Sequence, residues 1–173
     1  MNFVGGIVGR EYIGTINECT NTGTVYGKDM AIGGIAGIVG WNNCAGTLKN
    51  SYNIGKVISD KKDNSIIGGI VGYLVDGEVR NNYSIGEIEI KGSGVTMIGG
   101  ALGVKAKGEE TNNFYLTGKS NATFDSNYGE EKDNEYMKGT TFLNKLNEGE
   151  LSPVWEYREG ENKGYPVLVK AKE

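Results

Sequence analysis

The residues able to do chemistry are few, and one absence decides most of the inventory. The 173-residue chain contains no His. That removes the usual general base, the commonest metal ligand and every Ser-His or Cys-His nucleophile arrangement. Carboxylates are what remain. Glu78 and Glu109 stand at equivalent positions of two successive repeats, with Asp76 one turn position before the first of them. Side by side, two such carboxylates would lie about 5 Å apart, the separation a retaining glycosidase uses. Thr15 and Thr47 fill the same row in the other copies, which favours an ordinary solvated face.

Two other groups of residues read less well as sites. The stretch Asp125–Glu131 resembles an ion loop, but Glu130 stands where an EF-hand needs Gly and Tyr136 where it needs its last Glu. The two cysteines, Cys19 and Cys44, are too few for a disulfide framework or a structural zinc site. In stacked repeats they fall about seven residues out of phase, beyond the roughly 4–7 Å between Cα atoms that a disulfide spans. Two free thiols are expected, Cys19 partly buried. No catalytic residue, cofactor or metal ion is expected from this set.

An aromatic row is the better binding candidate. Thr20, Tyr52, Tyr83 and then Phe114 or Tyr115 recur at one position. Pointing outward, Tyr52, Tyr83 and Tyr115 would face a ligand and could stack on sugar rings; pointing inward, they fill the core or a corner. Beside them run Asn50, Asn81 and Asn112, with Ser51, Asn82 and Asn113 in the next row. Stacked Asn side chains bond to one another and to turn backbone, and Asn tolerates left-handed backbone, so these rows read as structural.

What must position all these residues is an internal repeat. Val4-Gly5-Gly6-Ile7-Val8-Gly9 recurs from Ile35, from Ile67 and from Ile98, at spacings of 31, 32 and 31 residues. A second block keeps the same phase: Gly14-Thr15-Ile16 to Gly23-Thr24-Val25 matches Gly46 to Val57 and Gly77 to Ile88, and a decayed copy runs from Gly108 to Gly118. Each repeat carries about three short strands, near residues 3–8, 15–21 and 24–27 of the first copy, separated by Gly, Asn and Thr turns. One repeat cannot bury its own apolar face, and stacking does so. The expected fold is all-β, a right-handed parallel β-solenoid (β-helix) of about four 31-residue coils over residues 1–122, roughly 19 Å tall at strand spacing. Val4, Ile35, Ile67 and Ile98 then form one apolar row. Val8, Val39, Val71 and Leu102 form another, and Ile16, Leu48 and Val79 a third.

Composition agrees and narrows the function classes. With 29 Gly, 2 Pro and many β-branched residues, the chain suits short strands and glycine turns, not helices or disorder. Its net charge is −4 and its Lys and Arg are scattered, so nucleic acid is not an expected partner. No apolar run approaches the roughly 20 residues that span a bilayer. No basic region followed by an apolar stretch follows Met1, so no signal peptide is expected.

The pattern GGIVG, then GTI, Asn, a Cys or Tyr and a closing G-x-V resembles the GLUG-motif repeats of bacterial cell-surface and secreted proteins. Those repeats accompany immunoglobulin-A-cleaving metallopeptidases and adhesin-like chains. The resemblance covers roughly residues 3–118, on Gly5-Gly6-Ile7-Val8-Gly9 with Gly14-Thr15-Ile16 and their copies. Phe142–Asn147, Trp155 and Gly164–Leu168 also look like the tail that closes such arrays. The resemblance implies an extracellular or cell-surface setting. It carries over no catalytic residue, because the peptidase zinc motif needs His.

After about residue 120 the period is lost, and residues 123–173 are read as a small mixed cap. Residues 125–139 read as a loop with a short helical turn. Thr141–Glu148 reads as a short amphipathic helix stopped at Gly149, and residues 154–157 and 165–169 as two strands around a turn. Trp155, Tyr165 and Leu168 are expected to bury the end of the stack, since bare strand edges invite self-association. No matching cap precedes Phe3, so a continuation of the array on the N-terminal side is expected. The leading functional reading is a non-catalytic repeat module, a stalk or an adhesive face for a host glycan or extracellular protein. An accessory, substrate-positioning domain of a larger secreted peptidase and a β-helix polysaccharide-degrading enzyme are the alternatives.

Overall fold

The structure, a computed structural model, describes residues 3–28, 34–42, 45–60, 65–92, 96–121, 123–124 and 126–170. Cys44 and Asp125, from the sequence reading, lie outside the described residues. Every strand set of one repeat pairs in parallel with the same set of the next, and four parallel sheets result. Sheet 1 holds Val4–Gly5, Gly34–Ala36, Ser65–Gly68 and Thr96–Gly99. Sheet 2 holds Val8–Glu11, Val39–Asn42, Val71–Leu74 and Leu102–Lys105. Sheet 3 runs from Thr15–Asn17 and Thr20–Asn21 through Thr47–Lys49 and Tyr52–Asn53 to Glu78–Ser84 and Glu109–Leu116. Sheet 4 holds Val25–Lys28, Val57–Asp60 and Ile88–Ile90.

The register is the one the repeat spacing dictates. Val4 pairs with Ile35, Ile35 with Ile67 and Ile67 with Ile98; Val8, Val39, Val71 and Leu102 form a second row, and Ile16, Leu48 and Val79 a third. The strand count per repeat differs from the expectation. The span 3–8 is two strands in two sheets, because the chain turns at the glycine pair. Ile38 and Val39 both donate their N–H to the Ile70 carbonyl, at 3.1 and 3.0 Å, so consecutive residues face the same interior. That turn resolves a conflict of parity, since strict alternation would send Ile38 and Val39 to opposite faces.

The core divides into two lobes. Val25, Val57, Ile67, Ile88 and Ile98 pack together in the lobe between sheets 1 and 4. Ile38, Val39, Leu48, Ile70, Val71, Leu74 and Val79 fill the lobe between sheets 2 and 3, all fully buried. Between the lobes runs a polar ladder: Asn21 Nδ2 donates to Asn53 Oδ1 at 2.8 Å and Asn53 Nδ2 to Ser84 Oγ at 3.3 Å. The second glycine of each pair lies against this ladder. A Cβ on Gly37 would come within 2.3 Å of both Asn53 Cγ and the Gly69 carbonyl oxygen, so nothing larger than hydrogen fits.

The stack does not end at residue 122. Ser120 bridges to Ile88, Ser126 N–H donates to the Ile98 carbonyl at 3.1 Å, and Glu130–Lys132 pairs in parallel with Phe114–Leu116. Ser120, Ser126 and Glu130–Lys132 therefore carry the pairing past the fourth rung, and the loop expected over 125–139 contains a strand. The helix Thr140–Leu146 and the antiparallel pair Trp155–Glu156 with Val167–Leu168 follow, in kind as the sequence suggests. Their place is different. They lie against the side of sheet 3 and do not cover the end of the stack.

Candidate functional site

The reason for that sideways docking is a left-handed residue in each rung of sheet 3. Glu18, Asn50, Asn81 and Asn112 have φ of 55, 51, 57 and 51°, in a column. Such a residue shifts the alternation by one. Val79 faces the interior, yet Asn82 and Ser84 also do, and Tyr83 faces out. The interior Asn82 Nδ2 donates to Asn113 Oδ1 at 2.9 Å, and its Oδ1 accepts Ser51 N–H at 2.8 Å. The Asn rows are thus structural, as their residue types suggest.

The aromatic row splits accordingly. Tyr52, Tyr83 and Phe114 point outward, and the protein's own C-terminal segment occupies their faces. Tyr83 stacks on Tyr52 at 5.1 Å between centroids and meets Phe142 at 5.7 Å and Trp155 at 5.4 Å. Its hydroxyl donates to the Pro166 carbonyl and accepts Asn162 Nδ2. Tyr83 is fully buried, and burial holds its phenol well above the ordinary range. Tyr115 pairs with Ser84, not Tyr83, and faces the interior, 5.1 Å from Phe124. As a correction to the ligand-facing expectation, Tyr83 and Tyr115 present no free ring, and Tyr52 is half-covered.

A polar seam completes this docking. Glu150 takes Lys49 at 3.6 Å, Arg80 at closer range and Asn50 Nδ2 at 3.2 Å. Asn81 Nδ2 reaches the Glu148 carbonyl at 2.9 Å. Burial works to raise the Glu150 carboxyl, but the Arg80 and Asn50 hydrogen bonds and the charges of Arg80 and Lys49 outweigh it and hold it low.

The carboxylate pair does come together. Glu78 and Glu109 are register neighbours on sheet 3 and line a shallow open depression with Asp76, Thr47 and Gly77. Glu78 is tied to Arg80 Nε at 3.0 Å, and both carboxylates stand in solvent. Cys19 is half-buried as expected; burial first, with the Glu18 charge, pushes its thiol up against a lowering bond to the Asn17 carbonyl, so it is no activated nucleophile.

Two features were not read from the sequence. The first is a buried polar pair in the sheet 2–sheet 3 lobe. Glu11 is 6% exposed and Asn42, its register partner, is fully buried, and none of their four side-chain polar atoms has a hydrogen-bond partner among the described residues. A Cβ on Gly46 would lie 2.7 Å from Glu11 Cδ and 2.9 Å from Asn42 Oδ1, so both converge on that glycine. Burial raises the Glu11 carboxyl to about 7.

The second is a crease between the outer faces of sheets 1 and 2. Pairing in sheet 2 skips the glycine column Gly9, Gly40, Gly72 and Gly103, and a Cβ on Gly40 would lie 2.9 Å from the Val4 backbone. Along this close approach run Arg10, Trp41, Tyr73 and Val104 on one side and Phe3, Ile66 and Met97 on the other. Trp41 meets Phe3 at 4.6 Å and Tyr73 at 4.5 Å, all three half-buried. The crease opens at its far end into a cavity of about 300 Å³ lined by Met97, Gly103, Val104, Ser126, Asn127 and Tyr128. The signal in the sequence is the position two residues after each GGIVG core valine, where Arg10, Trp41 and Tyr73 recur.

Among the described residues no group of three or more His, Cys, Asp or Glu side chains could hold a metal ion, and no helix is long and apolar enough to cross a membrane. The chain matches no family model, and no curated protein or solved structure matches it. The resemblance to GLUG-motif repeats therefore rests on the residues quoted above.

Proposed function

We propose that the chain is a right-handed parallel β-solenoid module of a bacterial surface or secreted protein, non-catalytic, serving as a stalk and binding face. The observation that carries this reading is the in-register parallel pairing of equivalent residues in every sheet over successive repeats. Each repeat contacts its neighbours above and below, so length is set by repeat number, the property a stalk needs. Right-handed connection is the rule for parallel strands joined within a sheet. The surface setting comes from the resemblance to GLUG-motif repeats.

The non-catalytic part is supported by the Glu78–Arg80 pair and by the open setting of Glu78 and Glu109. Incubated with neutral and acidic polysaccharides and with peptide substrates, the purified chain is expected to release no product. Turnover that disappears in Glu78→Gln or Glu109→Gln would replace this reading with an enzyme.

A further inference from the structure

We infer that the crease between sheets 1 and 2, with the cavity at its end, binds an acidic glycan chain. The inference deepens the binding-face reading by naming a site and a ligand class. The cavity has an apolar wall of Met97, Val104 and the Tyr128 ring, and Met97 is 52% exposed. At about 300 Å³ it is at the small end of ligand sites. Lys105 carries its ammonium 5.5 Å from the Tyr128 ring centroid and makes no ion pair among the described residues. At the first rung, the exposed Arg10 guanidinium lies 5.9 Å from the Phe3 ring and 5.7 Å from Tyr12, also without a carboxylate.

In a chain of net charge −4, Arg10 and Lys105 are among the basic groups, with Lys28, Lys107, Lys119, Lys138 and Lys163, that form no ion pair among the described residues. Between Arg10 and Lys105 the half-buried rings of Phe3, Trp41 and Tyr73 supply the aromatic surface on which sugar rings stack. A cation at each end of an aromatic strip fits a linear ligand with apolar ring faces and spaced carboxylates. An extended acidic peptide fits less well. Sheets 1 and 2 turn faces, not open edges, into the crease, so a peptide backbone would find no ladder to join.

The test is calorimetric titration of the purified chain with an oligogalacturonate of defined length, beside its methyl ester as the neutral counterpart. Saturable binding to the acid, weak or absent for the ester, is expected, with affinity falling as salt rises. An Arg10→Gln/Lys105→Gln variant whose melting curve matches the parent's should bind at least about tenfold more weakly, as loss of two charge-assisted contacts implies. No saturable binding to the acid, or equal binding by the ester or by the variant, would overturn the inference and leave the stalk reading standing. Chromatography of the same mixtures separates the other case: release of shorter oligomers would overturn the non-catalytic reading instead.

Discussion

Replacing Tyr83 with Ala should destabilise the protein by about 4 kcal/mol and release the C-terminal segment from sheet 3. The estimate follows from the usual cost of deleting a large buried ring, roughly 3–5 kcal/mol. Tyr83 also lies at the centre of the docking surface. Its ring touches Tyr52, Phe142 and Trp155, and its hydroxyl joins Asn162 and the Pro166 carbonyl from the far side of the hairpin. Tyr83→Phe keeps the rings and loses only the hydroxyl contacts, a change of about 1–2 kcal/mol. Denaturant unfolding of the two variants, followed by Trp fluorescence, reads both numbers. Trp155 is 1% exposed under this interface and reports its release. A Tyr83→Ala variant as stable as the parent would mean that the outward ring is not covered, and would return it to the list of ligand-facing residues.

Glu11→Gln should stabilise the protein by up to about 3 kcal/mol at pH 8 and by almost nothing at pH 4. Burial raises the carboxyl from an ordinary 4.5 to about 7 in the folded protein. Each unit of that difference is worth about 1.4 kcal/mol. The folded state holds its proton more tightly than the unfolded one, so the stabilising contribution is complete below pH 4.5 and is lost as pH rises through 7. Above pH 7 the ionised carboxylate sits buried beside Asn42 with no hydrogen-bond partner among the described residues, whereas the Gln amide carries no charge to desolvate. Paired melts of parent and variant between pH 4 and 8 test this. Curves that run parallel over the whole range would show that the Glu11 carboxyl is solvated.

How much of this was legible in the sequence depends on which period is read. The 31-residue repeat was plain, and it fixed the register of Val4, Val8 and Ile16 with their equivalents because stacked rungs must align like residues. The alternation within a rung was not. One left-handed residue, at Asn50, Asn81 or Asn112, shifts parity by one and turns Tyr52, Tyr83 and Phe114 outward, and Asn is only a permissive signal for that backbone. The glycine pair acts likewise, sending Ile38 and Val39 to the same side. Once Tyr83 faces out, the helix and hairpin must dock sideways to cover it, which is why Trp155 does not close the end of the stack. Pairing beyond the fourth rung falls to Ser120, Ser126 and Glu130–Lys132, where the repeat motif has decayed too far to be seen. The crease was missed because Arg10, Trp41 and Tyr73 share a row but not a residue type.

The proposal that the repeats stack rung by rung as a solenoid is tested most directly by adding rungs. Two copies of residues 35–66 would be fused ahead of Val4, where they leave the C-terminal docking on sheet 3 untouched. Small-angle X-ray scattering should then show a particle longer by about 10 Å at unchanged cross-section, two strand spacings of about 4.8 Å each. Thermal stability should be no lower than the parent's, since each added repeat brings a new interface. A particle that widens in all directions, or an insertion that unfolds the chain, would contradict the account.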